Sequence, residues 1–161
     1  MLKHSFKYSE PDYCHDRTLS LHDCIADKVY YANGTLRFEL PDGLWITSIH
    51  AGNALNKTVK TDGAAVDFTV KKLSDMTVRV FTRSFFGKTK AELWEMEDLI
   101  KRINHGECTL EFIYQYRSYF EQMWYCAIHS PRKPYYRECQ LHLPKTEATF
   151  YWNHLRPECE W

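Results

Sequence analysis

Apolar and polar positions alternate with a period of two over most of this chain and switch to helical spacing once. Two β-rich runs, Lys28 to Ala32 and Thr35 to Leu40, are joined by Asn33-Gly34, the dipeptide that supplies the positive φ values of a type I′ turn, and together they predict a hairpin. Pro41-Asp42-Gly43 marks a second turn, and Leu44 to His50 a third strand, which would complete a three-strand meander. Ala51 to Lys60 reads as a loop. Val66, Phe68 and Val70 then alternate on one strand face, and Thr77 to Phe86 continues the pattern through Val78 and Val80.

The period changes near residue 90. Thr89-Lys90-Ala91-Glu92 fits a capping box, Leu93, Met96, Leu99, Ile100 and Ile103 fall at helical spacing, and Gly106 closes the run, which predicts an amphipathic helix over residues 90–105. Glu97 stands four residues before Lys101 and Asp98 four before Arg102; such pairs contribute only about 0.2–0.5 kcal/mol each, so the apolar stripe decides that the helix docks. After Gly106 the alternation returns. Leu110, Phe112, Tyr114 and Tyr116 fall on one face, and strands follow at Gln122 to His129, Arg137 to Leu143 and Ala148 to Asn153.

Residues 1–27 are polar and mixed and read as an irregular lead-in, with a first β block at 28–86 and a second at 108–155 flanking the helix. No repeat or linker divides the chain. The expectation is a single α+β domain over residues 1–161, mainly antiparallel, with about nine short strands in a sandwich or strongly bent sheet.

Composition narrows the function classes. The charge balances, with 21 basic and 21 acidic residues, which argues against a dedicated nucleic-acid binder and against an acidic mimic of nucleic acid. Aromatic content is high at 16%, and the 11 Tyr outnumber the 9 Phe, so part of the ring surface can sit half in water at a recognition face. No apolar run has the length of an export signal or a membrane span, which points to the cytoplasm and to cysteines kept as thiols. No phosphate-binding glycine loop, nucleophile elbow or zinc-protease motif occurs, and no cofactor is implied.

Three clusters of residues carry candidate chemistry. Cys14, His15, His22 and Cys24 are zinc-ligand types, but they lack a C-x-x-C, and adjacent Cys14 and His15 do not turn readily to one tetrahedral centre. Solvated loop residues, with Cys24 entering the core, fit the spacing better. His22-Asp23, the second of two His-Asp dipeptides, could serve as an acid–base pair, with Asp23 as a turn former the plainer account. The stretch Arg117, Tyr119, Arg132, Lys133, Tyr135, Tyr136 and Arg137 interleaves cations and rings as nucleotide sites do, although a solvated hairpin between Pro131 and Pro134 explains it as well.

Leu21-His22-Asp23-Cys24 followed by Lys28 to Trp45, and Tyr136 to Leu141 with Tyr151-Trp152-Asn153, resemble segments of small bacterial proteins of the immunity-protein or mobile-element type. The resemblance implies a small cytoplasmic protein that acts by binding, and it brings no catalytic pattern with it. The resulting expectation is a non-enzymatic protein of the immunity or anti-defence kind that neutralises a partner protein through an aromatic-rich sheet face, with Tyr114, Tyr116, Tyr119, Trp124, Tyr135 and Tyr136 as contributors. The alternative is a protein that binds or cleaves a nucleotide or nucleic acid, with Arg117, Arg132, Lys133 and Arg137 on phosphate and a tyrosine stacking the base.

Overall fold

The turn chemistry accounts for the first hairpin. Asn33 and Gly34 both take positive φ, 51° and 73°, and place Ala32 opposite Thr35, so that the flanking runs pair residue by residue. The computed structural model describes residues 4–10, 18–83 and 87–161. Within them lie β1 (Phe6–Glu10), β2 (Leu19–Ser20), β3 (Cys24–Ala26), β4 (Lys28–Ala32), β5 (Thr35–Leu40), β6 (Trp45–Ile46), β7 (Val59–Thr61), β8 (Ala64–Thr69), β9 (Thr77–Arg83) and β10 (Thr89–Trp94). The one α-helix among the described residues, α1 (Met96–Asn104), precedes β11 (Thr109–Arg117), β12 (Glu121–His129), β13 (Tyr136–Pro144), β14 (Ala148–Trp152) and β15 (Leu155–Glu160).

The fold is mainly antiparallel α+β. A five-stranded sheet runs β1-β14-β8-β5-β4, a six-stranded sheet β10-β9-β13-β12-β11-β3, and a four-stranded sheet β15-β7-β6-β2. The two larger sheets close on each other through rings. Phe38 of the first meets Phe112 of the second at 5.2 Å, and Phe68 meets Trp124 at 6.4 Å, all edge to face. Nearly all the buried apolar side chains among the described residues form one cluster that draws on all three sheets and the helix. Among the described residues, no helix is long and apolar enough to cross a membrane.

The structure changes the expected layout in four places. The third strand of the meander shortens to β6 and pairs with β2 and β7 instead of β5. Gly43 turns at φ 79° with its Cα packed against the Thr61 carbonyl, where a Cβ would lie 2.2 Å from that oxygen. The chain thereby leaves the sheet, Leu44 exchanges hydrogen bonds with Thr61, and β8 takes the place beside β5. Second, the segment read as an irregular lead-in contributes β1, β2 and β3, and β15 extends the pairing past residue 153; strands of two or three residues are too short to show alternation.

The third correction concerns the helix. Thr89 to Trp94 is not a capped helix start but an edge strand paired along its length with β9, and Leu93 is 70% exposed rather than part of the helical stripe. The helix begins at Met96 behind Glu95, which makes no side-chain cap, and buries Met96, Leu99 and Ile103. Its ion pairs also differ from those expected. Lys101 reaches Asp98 at 3.5 Å and Arg102 reaches Glu107 at 3.4 Å, both well exposed and worth little to stability. At its far end Asn104 grips the edge of the five-stranded sheet, its amide accepting from the Val29 N–H at 2.9 Å and donating to the Val29 carbonyl at 2.7 Å.

Candidate functional site

The fourth correction creates an exposed aromatic surface among the described residues. Up to Phe112 the even positions of β11 point inward, and Leu110 and Phe112 are fully buried. The register then shifts between Phe112 and Tyr114, leaving Ile113 as the extra residue of a β-bulge. Beyond it Tyr114 pairs with Tyr125 and Tyr116 with Met123 on the outer face, while Gln115 and Arg117 come opposite buried Trp124 and Gln122. Strict alternation would have put Leu110, Phe112, Tyr114 and Tyr116 on one face; the bulge divides them. Gln115 donates to Gln122 Oε1 at 2.7 Å and fixes the new register.

Tyr114 and Tyr116 are 53% and 56% exposed, and Met123, Tyr125 and Phe81 lie half-buried on the same side of the sheet. Burial, followed by a hydrogen bond with Glu138, raises the Tyr125 hydroxyl above its ordinary range, so this ring is a neutral donor in all physiological conditions. Tyr119 and Phe120 cap the β11–β12 turn, 81% exposed each and edge to face at 4.7 Å. At the other end of the hairpin Tyr135 and Tyr136 are exposed, with Tyr136 edge-on to His129, whose Nε2 lies 2.6 Å from Glu111 Oε2. Trp124 does not belong to this surface. It is 6% exposed and packs between Phe68 and Phe112, because the bulge is confined to β11 and leaves the inward positions of β12 unchanged.

Residue His22 lies at the rim of a cleft of about 280 Å³ beside Ile113 to Arg117, where β3 no longer covers β11. Trp124, Phe68 and Phe150 form its floor, and Tyr114 and Trp161 approach the His22 ring at 5.4 and 5.3 Å. The His22 Nδ1 and Asp23 Oδ2 atoms are 3.0 Å apart. The surrounding geometry is that of a turn. Asp23 has a φ of 57°, its N–H donates to the Phe112 carbonyl at 2.7 Å, and the His22 N–H donates to Ser20 Oγ.

Of the metal-ligand candidates, Cys14 and His15 lie outside the described residues. Cys24 is wholly buried with its thiol directed at the carbonyls of Ser20 and His22, and burial pushes it up to about 12. Burial therefore keeps it protonated at neutral pH. Burial likewise raises Cys108 and Cys126.

The basic residues collect away from Tyr114, Tyr116 and Tyr119, at the end of the hairpin that carries Tyr135 and Tyr136. Arg132, Lys133 and Arg137 line a pocket of about 480 Å³ together with Arg102, His105 and Glu107 from the end of α1. Arg117 is not among them; it borders the aromatic cleft. The stretch that reads as one interleaved patch in sequence is therefore split along the β11–β12 hairpin. Arg102, His105 and Trp94 had no local signal, since their approach to the β12–β13 turn depends on how the helix docks.

No protein-family model, curated protein or solved structure matches this chain.

Proposed function

We propose that the protein is a non-enzymatic binding protein that docks a partner protein on the outer face of its six-stranded sheet, around Tyr114, Tyr116 and the Tyr119–Phe120 tip. The observation that supports this reading most is the bulge at Ile113. Without it the two tyrosines would continue the buried row of Leu110 and Phe112; with it they stand in water beside Met123 and Tyr125. Rings of this kind, rigid and with a polar tip, are the residues that anchor protein interfaces, and large exposed clusters of them are unusual on surfaces without a partner. The inner face is filled by the core, so the outer face is the side of the sheet open to docking. In this reading the bound partner is neutralised by being covered, with no chemistry required of the chain.

The test is a triple substitution, Tyr114→Ala, Tyr116→Ala and Tyr119→Ala. All three rings lie outside the core, so the thermal midpoint is expected to stay within a few degrees of the parent. A partner retained from host extract by the parent chain is then purified and titrated by calorimetry, with an expected weakening of about a hundredfold, two or more kcal/mol for a central aromatic group. Equal affinity of parent and variant would reject the reading.

A further inference from the structure

The basic pocket is separate from the tyrosine face, and its electrostatics call for a ligand of their own. Four permanent cations, Arg102, Arg132, Lys133 and Arg137, line it against one carboxylate, Glu107, which is already engaged with Arg102 at 3.4 Å. The guanidiniums of Arg102 and Arg137 both lie over the Trp94 ring, each 4.8 Å from its centroid. Both guanidiniums are thus anchored on one indole at the edge of the pocket, and Glu107 is the one carboxylate among its lining residues to offset the four cations. Arg137 adds a second sign. It is half-buried on β13, and its Nε is covered from solvent with no hydrogen-bond partner among the described residues, which leaves a charged group incompletely satisfied.

We propose that this pocket binds the phosphate group of a small phosphate ester. Guanidinium forks match phosphate oxygens in pairs, and Lys133 adds a point charge from the same turn. A small ligand fits better than a nucleic-acid strand on two counts. The cations converge on one concavity of about 480 Å³ rather than running along a groove, and the whole chain carries no net positive charge to collect a polyanion. Cys108, the one thiol that lines the pocket, is raised by burial and stays protonated.

The test uses the purified full chain, calorimetry and thermal melts, with inorganic phosphate, adenosine diphosphate, adenosine and a single-stranded oligonucleotide as probes. Phosphate and the diphosphate are expected to bind and raise the melting temperature, adenosine to do neither, and the affinity to fall steeply between low and moderate salt. The paired substitution Arg132→Ala with Lys133→Ala, both exposed on a turn, keeps the fold and is expected to weaken the diphosphate about tenfold or more. Arg137→Ala is expected to weaken it further. No binding of either phosphate probe, binding unchanged in the turn variant, or binding of the oligonucleotide alone would each overturn the proposal. None of these results bears on the tyrosine face, whose residues line no part of this pocket.

Discussion

Among single residues, His50 has the clearest consequence. It is 6% exposed, with the Tyr8 ring edge-on at 4.8 Å and Trp152 at 5.7 Å. Its Nδ1 accepts the Gly52 N–H at 2.9 Å, so the imidazole is held neutral with its proton on Nε2. Burial lowers its pKa below the ordinary histidine value. In the unfolded chain the ring gains a proton near pH 6.5, which the folded chain resists; the unfolded state therefore binds more protons below that pH and stability falls with acidification. The loss begins as pH drops through about 6.5, with a limiting slope of about 1.4 kcal/mol per pH unit for one group. His50→Asn keeps an acceptor for Gly52 and cannot titrate. Urea denaturation at pH 7.5 and pH 5.5 is expected to show a smaller acid loss in the variant than in the parent; identical losses would remove His50 from the account.

At the level of elements, α1 is tied to the sheet by one side chain as much as by its apolar stripe. Asn104 bonds both the N–H and the carbonyl of Val29, a fully buried residue on the edge strand β4, and so stands in for one residue of a missing neighbouring strand. Asn104→Ala strands both groups, which costs about 1–3 kcal/mol each time a buried polar group loses its partner. The expected result is a lower melting temperature together with faster amide exchange at Val29, and unchanged exchange there would refute the role. The same element shows what the sequence made legible. Met96, Leu99 and Ile103 were readable because their spacing reports one buried face, and Asn33-Gly34 because its turn is local. Thr89 to Trp94 was misread because a Thr-x-x-Glu pattern also suits an edge strand, and pairing with β9 outweighs a weak cap. The bulge at Ile113 has no local signature at all: nothing in Phe112-Ile113-Tyr114 distinguishes an extra residue from a paired one, so the outward turn of Tyr114 and Tyr116 was legible only as an aromatic excess. Arg132, Lys133 and Arg137 were readable as a basic patch, while Arg102 and Trp94 join them through long-range packing.

Over the whole molecule, the two large sheets are joined by rings rather than by shared strands. Phe112 is the central joint, fully buried, with Phe38 at 5.2 Å from the facing sheet and Trp124 at 5.2 Å from its own. Edge-to-face contacts of this kind add about 0.5–1.5 kcal/mol beyond the burial of the ring itself. Phe112→Ala leaves a cavity between the sheets as well, so the expected loss is about 3–5 kcal/mol and a fall in melting temperature of roughly 10 °C or more. Phe6, 52% exposed and stacked on Trp152 at the outer edge of the five-stranded sheet, is the control; its replacement by Ala is expected to change little. The form of the transition matters more than its midpoint. If the sheets depend on each other through this joint, the Phe112 variant still melts in one step, with far-ultraviolet dichroism and tryptophan fluorescence coinciding. If each sheet were stable alone, removing the ring would split the transition into two steps, because each sheet would then melt at its own midpoint.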